Sequence, residues 1–152
     1  THARGDWILV LHADTCLAPG WVDVVLPRLA QPGAWYFRLR FDARGFAPGF
    51  VAGWANLRSW FLGLPYGDQG LLIHRQIYDA AGGYREMALM EDVALARALR
   101  GQLRGLDHDA VTSAAKYQSQ GWLRRGARNL WTLARYGAGV SPERLAQEYR
   151  RP

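Results

Sequence analysis

A single cysteine, Cys16, is all the thiol chemistry this chain has. That excludes an intrachain disulfide and a thiolate metal cluster, and with them the common structural zinc sites. Such usage suits a reducing compartment. Cys16 itself reads either as a small buried filler or as a nucleophile whose partner base the sequence does not fix. Long apolar runs are missing too. No stretch reaches the about 18 uninterrupted apolar residues that mark a spanning helix. The longest candidate, 46–66, is broken by Asn56, Arg58 and Ser59. There is no apolar signal segment and no initiator methionine, and Thr1-His-Ala-Arg-Gly-Asp6 leads directly into strand-forming residues. The expectation is a trimmed or incomplete chain. Paired CxxC, Walker, HExxH, GxSxG and dinucleotide signatures are absent, as are internal repeats and a low-complexity tail.

What is present is enough for one domain spanning 1–152. With 49% hydrophobic residues and seven tryptophans, the chain can bury a core. Charge is divided unevenly. Residues 1–96 carry eight Lys/Arg against nine Asp/Glu, and residues 97–152 carry eleven against four. The whole excess of +6 therefore lies in the C-terminal third. That field favours an anionic partner: a phosphorylated substrate, nucleic acid or an anionic membrane surface.

Along the chain, the apolar run Trp7–Leu11 predicts an interior, parallel strand. It stops abruptly at His12-Ala-Asp-Thr15, followed by Pro19-Gly20 and a short helical stripe of Val22, Val25, Leu26 and Leu29 that Pro27 limits. Asp14 thus stands where ligands bind beyond strand ends, as a hard oxygen donor for a divalent cation or as a turn cap. Residues 34–42 alternate, with Trp35, Phe37, Leu39 and Phe41 on one face and Tyr36, Arg38, Arg40 and Asp42 on the other. Residues 45–49 read as a turn, and Val51–Leu62 as a helix. In Gly63-Leu-Pro-Tyr-Gly-Asp-Gln-Gly70, Asp68 and Gln69 either orient sugar hydroxyls or shape a turn.

Residues 75–81 predict a short helix stopped at Gly82-Gly83. Glu91 and Asp92 begin the next, where backbone donors stabilise carboxylates and where one could also take a proton from a hydroxyl. Asp107-His-Asp109 reads as a turn with a solvated histidine, and residues 111–115 as a short edge strand. Basic helices follow at about 119–151. The first, over 121–136, sets Leu123, Ala127, Leu130 and Trp131 against Arg124, Arg125, Arg128 and Arg135. Ser141-Pro142 caps the second.

Taken together, Trp7-Ile-Leu-Val-Leu-His-Ala-Asp-Thr15, Pro65-Tyr-Gly-Asp-Gln-Gly70, Gly82-Gly-Tyr84, Leu89-Met-Glu-Asp-Val93 and Thr112-Ser113 resemble the later portion of an inverting family 2 glycosyltransferase. The resemblance is to its bacterial branch with a His-Ala-Asp-Thr signature. It implies a partial GT-A-like α/β fold, a mostly parallel sheet flanked by helices, lacking the N-terminal nucleotide-binding portion. It also implies transfer of a sugar from a nucleotide-diphosphate donor to an acceptor hydroxyl, with Mg²⁺ or Mn²⁺ held by Asp14. His12 stands where many members have an aspartate and would position donor ribose or phosphate. Asp92 would be the base and Glu91 its structural or acceptor-orienting partner. Gln120-Gly-Trp-Leu-Arg124-Arg125 would stabilise the diphosphate in place of the family's Gln-x-x-Arg-Trp element.

A cytoplasmic enzyme follows, with the basic helices available for peripheral contact with the inner face of a membrane. No nucleic acid is expected, because no RNA- or DNA-binding motif makes the arginines converge. The competing readings are a noncatalytic anion- or nucleic-acid-binding domain and an inactive transferase fragment.

Overall fold

The computed structural model describes residues 3–149. Thr1, His2 and residues 150–152, which include the end of the basic segment expected to reach 151, lie outside the described residues. Five strands form one sheet in the order β1-β4-β3-β5-β2: β1 (Trp7–Val10), β2 (Thr15–Leu17), β3 (Ala34–Phe41), β4 (Leu71–His74) and β5 (Leu103–Thr112). Between and after them come α1 (Trp21–Val25), α2 (Phe46–Leu62), α3 (Arg75–Ala80), α4 (Glu91–Ala98), α5 (Ala115–Gln120), α6 (Trp122–Gly137) and α7 (Pro142–Tyr149).

The expected GT-A-like, mostly parallel sheet is not what forms. Among the described residues only β3 and β5 run parallel; β1–β4, β3–β4 and β2–β5 are antiparallel. The mixed sheet curls into a half-barrel. β1 is accordingly an edge strand, half-buried throughout and paired only with β4, rather than an interior parallel one. A short apolar run states that a strand is covered. It carries nothing about the direction of its neighbour.

Two further corrections have local causes. α2 begins at Phe46, where a turn was expected. Pro48 lies in its first turn, where backbone N–H groups have no helical acceptor and a missing donor costs nothing. β5 runs through Asp107-His-Asp109, which was expected to turn. Its charges are answered from the parallel neighbour. Arg38 Nε lies 2.7 Å from Asp109, Arg40 Nε 2.9 Å from Asp109, and Arg38 Nη1 2.8 Å from Asp107. His108 Nε2 sits 2.9 Å from the Ala18 carbonyl. Cys16, expected to be buried if it were a filler, is exposed on β2.

The alternation of β3 is as expected from Phe37 onward, with Arg38 and Arg40 exposed and Phe37, Leu39 and Phe41 buried. Trp35, Phe37, Leu72 and Leu106 form one apolar cluster with Val25 of α1. Ile73, Tyr78, Leu95 and Leu99 form another beneath α3 and α4. β4 leaves β3 after Tyr36, which would strand the backbone of the buried residues beyond it. Side-chain amides continue the ladder there. Gln69 Nε2 donates to the Phe37 carbonyl, 3.2 Å away. Asn56 of α2 accepts from Leu39 N–H at 2.7 Å and donates to its carbonyl at 3.0 Å. That pair fixes α2, and with it the loop leading to Asp68, against the sheet.

Candidate functional site

Three segments separated in sequence meet beyond one end of the sheet. The first is the turn after β1. Thr15 N–H closes it onto the His12 carbonyl at 3.0 Å. Its far side is pinned to the end of β5: Ser113 N–H donates to the Asp14 carbonyl at 3.0 Å, and the Thr15 and Thr112 hydroxyls meet at 2.9 Å. The second is the glycine-rich loop before β4. Gly70 is required there, since φ is +64° and a Cβ would lie 2.9 Å from the Leu11 side chain and 3.3 Å from Phe37. The third is the start of α4, entered through Met90, whose φ of 69° is the one positive value at a non-glycine among the described residues. Met90 is buried against Val93 and Leu145, so packing holds a backbone state that is costly for a side chain.

Gly67 joins them. Its N–H donates to Asp92 Oδ2 at 2.7 Å, and a Cβ there would lie 3.4 Å from the His12 ring. Asp92 Oδ1 accepts from Val93 N–H, also at 2.7 Å. Beyond Asp92 opens a cavity of about 260 Å³ walled by His12, Tyr66, Asp68, Glu91, Asp92, Lys116, Arg125, Asn129 and Tyr149. A smaller recess of about 80 Å³ shares His12, Asp68, Lys116, Arg125 and Asn129 with it and adds Asp14, Ser113 and Tyr117. The two cavities adjoin along these five shared residues, with Asp92 lining the larger part of the cleft and Asp14 the smaller.

Three carboxylates on this cleft are treated differently. Asp14 is held by His12 Nδ1 at 2.7 Å and Lys116 Nζ at 3.3 Å. Partial burial works against its ionisation, but the bonds from His12 and Lys116 outweigh this and keep its carboxyl below the ordinary range. Asp68 is pushed up to about 6, chiefly by burial, with the Arg58 guanidinium opposing and the Asp92 carboxylate adding to the rise. Its side chain caps nothing, and its Oδ1 is buried without a hydrogen-bond partner. Asp92 is gripped by two backbone N–H groups. Tyr66 is driven up to about 12 by burial, with the Arg58 guanidinium 3.6 Å from its ring centre.

Among the described residues, Asp68 Oδ1, Tyr66 Oη, Arg58 Nη2 and Arg125 Nε are buried polar atoms lacking partners; Tyr66, Asp68 and Arg125 wall this cleft, and Arg58 lines a third, smaller hollow that also takes in Tyr66 and Asp68. Buried polar groups are ordinarily satisfied, and a cluster of orphans facing one cavity is the mark of a site awaiting ligand atoms.

The residues expected from sequence divide accordingly. His12, Asp14, Asp68, Glu91, Asp92 and Arg125 line the cleft. Gln69 does not. Its side chain is fully buried and engaged by Ser59, Phe37 and Asn56, so it builds the loop without reaching a ligand. Arg124 is exposed and borders a basic hollow with Ser119, Gln120, Arg125 and Arg128, which has only Arg125 in common with the cleft. Lys116, Tyr66, Asn129 and Tyr149 were missed. Tyr66 lies inside the Pro65–Gly70 motif without having been given a role, and Lys116 follows Thr112-Ser113 by three residues.

For Mg²⁺ or Mn²⁺ the donor set is thin but chemically suitable. Among the described residues no group of three or more His, Cys, Asp or Glu converges. Asp14 supplies a hard carboxylate, and one such ligand suffices where substrate phosphates and water complete the shell. Lys116 would have to yield one carboxylate oxygen. A scan against protein-family models finds no match for this chain, and searches of curated proteins and of solved structures find none either.

Proposed function

We propose that the cleft transfers a sugar from a nucleotide-diphosphate donor to an acceptor hydroxyl with inversion, as the resemblance to family 2 glycosyltransferases implies. The supporting observation is that Asp92 and Asp14 line adjoining cavities with five wall residues in common, and that three orphaned polar atoms, Tyr66 Oη, Asp68 Oδ1 and Arg125 Nε, belong to those walls. Asp92, aimed by Gly67 and Val93 N–H groups, accepts the proton of the acceptor hydroxyl as its oxygen bonds to the anomeric carbon. The bond from that carbon to the diphosphate oxygen breaks, and its electron pair leaves with the diphosphate. A single displacement needs no enzyme nucleophile and no protonated leaving-group acid, so the pair differs from a glycosidase pair.

Charge on the departing diphosphate is met by Lys116 and Arg125 on the cleft wall. Asp14 and the donor phosphates would hold a divalent ion, which when bound supplies Lewis-acid stabilisation of that charge. Glu91, on the same wall as Asp92, orients the acceptor.

The test is calorimetric titration of UDP-, GDP- and dTDP-sugars, with and without Mn²⁺, followed by assay of nucleoside diphosphate release. Saturable binding of at least one sugar nucleotide that exceeds binding of its free sugar supports the reading. Absence of binding across the panel by folded protein rejects it. Nucleic-acid binding that fades with salt, without sugar-nucleotide binding, would favour the basic hollow beside α6 as a noncatalytic anion site.

A further inference from the structure

Twelve large hydrophobic side chains are exposed among the described residues, and nine of them lie on α2 and α6. On α2 they are ordered. Phe46, Phe50, Trp54, Leu57 and Phe61 follow the three- and four-residue spacing of one helix face, at 88%, 55%, 50%, 45% and 67% exposure. The opposite face, with Ala52, Ala55 and Ser59, is buried. α6 lies alongside: Val51 approaches Gly126, and Trp54 shares a recess with Leu130. Trp131, 66% exposed, extends the apolar surface onto α6. This is far more contiguous apolar surface than scattered exposed residues account for.

Charge selects what covers it. Both helices lie in acid-free stretches, 43–67 and 110–142; of the cations there, Arg58 is buried, Lys116 and Arg125 face the cleft and Arg135 pairs with Glu148. Arg44, just before α2, and Arg124, in the first turn of α6, are exposed. A second copy would set like charges together with no carboxylate from either helix between them. An anionic bilayer offers phosphates to the arginines and an acyl boundary to the aromatic rings. Among the described residues no helix is long and apolar enough to cross a membrane. α2, about 25 Å long at 1.5 Å per residue, suits a helix lying in the interface.

We propose that the outer face of α2 and α6 docks on an anionic lipid bilayer, with the α2 aromatic ridge entering the headgroup region. The proposal is independent of the reaction assigned to the cleft.

Flotation with phosphatidylcholine vesicles, with and without phosphatidylglycerol, tests it. The chain is expected to float with the anionic vesicles, weakly with the neutral ones, and less as salt rises. Phe46→Ser with Phe50→Ser, both exposed, should leave the melting temperature unchanged and lower partitioning by roughly tenfold or more. Leu26→Ser, at a residue 58% exposed and outside both helices, is the control and should float like the wild type. No flotation with anionic vesicles overturns the proposal. So does equal flotation of the ridge variant, or a dimer in sedimentation velocity that the ridge variant abolishes.

Discussion

The two ends of the cleft secure their carboxylates by different means. Asp14 is held by side chains, His12 and Lys116, both more than half exposed. Asp92 is held by backbone, Gly67 and Val93 N–H. A carboxylate paired with flexible cations can exchange them for a ligand. One fixed by two backbone donors keeps its direction whatever binds. The first arrangement suits a group that must accept a charged cargo, the second a group that must take a proton at one place.

The sharpest break of that contrast is Asp92→Asn. It keeps the side chain's size, removes the base and, because an amide nitrogen cannot accept, gives up one of the two backbone hydrogen bonds, so nucleoside diphosphate release should fall by about 10²–10⁴-fold while donor affinity stays within twofold in calorimetry. Equal loss of both would make Asp92 a donor-binding residue. Gly70→Ala attacks the loop that carries Gly67 to Asp92. The left-handed backbone and the 2.9 Å approach to Leu11 leave a methyl no room. Urea unfolding should show a loss of about 1–3 kcal/mol, and an unchanged midpoint would mean that the loop relaxes freely.

Why the cleft was partly readable follows from the same residues. His12-Ala-Asp14, Tyr66-Gly-Asp68 and Glu91-Asp92 each sit where an apolar or glycine-marked pattern changes to polar side chains, a signal contained in a few neighbours. Lys116, Asn129 and Tyr149 reach the cleft only because α5, α6 and α7 fold over it, and nothing within their own segments says so. Strand direction failed for a related reason. The Asp107-His-Asp109 stretch looks like a turn until Arg38 and Arg40, some seventy residues upstream, are laid beside it. Gln69 was legible as important but not as structural, since its role depends on a carbonyl of β3 that β4 abandons.

Between the two ends, Asp68 sharpens the comparison through pH. Its folded value of about 6 lies above its ordinary 3.8, so the folded state binds more protons between these values. Its contribution therefore makes stability fall as pH rises from about 4 to about 6. Asp14 acts in the opposite sense and at lower pH, since its stabilisation is complete above 3.8 and is lost as pH falls through its depressed value. Asp68→Asn should flatten the decline between pH 4 and 6 in thermal unfolding and leave the more acidic loss in place. An undiminished decline would assign it to another group.

The smallest effect is expected outside the cleft. Arg124→Gln should change donor affinity by less than twofold, because Arg124 borders the separate basic hollow, while Arg125→Gln, on the shared wall, should weaken it. Equal losses would join the two hollows into one site.

Calorimetry of a sugar nucleotide with Asp14→Asn and Asp92→Asn, in the presence and absence of Mn²⁺, separates the two ends most directly. Asp14→Asn should abolish the Mn²⁺-dependent part of binding, and Asp92→Asn should retain it. Unchanged metal dependence in Asp14→Asn, or its loss in Asp92→Asn alone, would contradict the division of labour across the cleft.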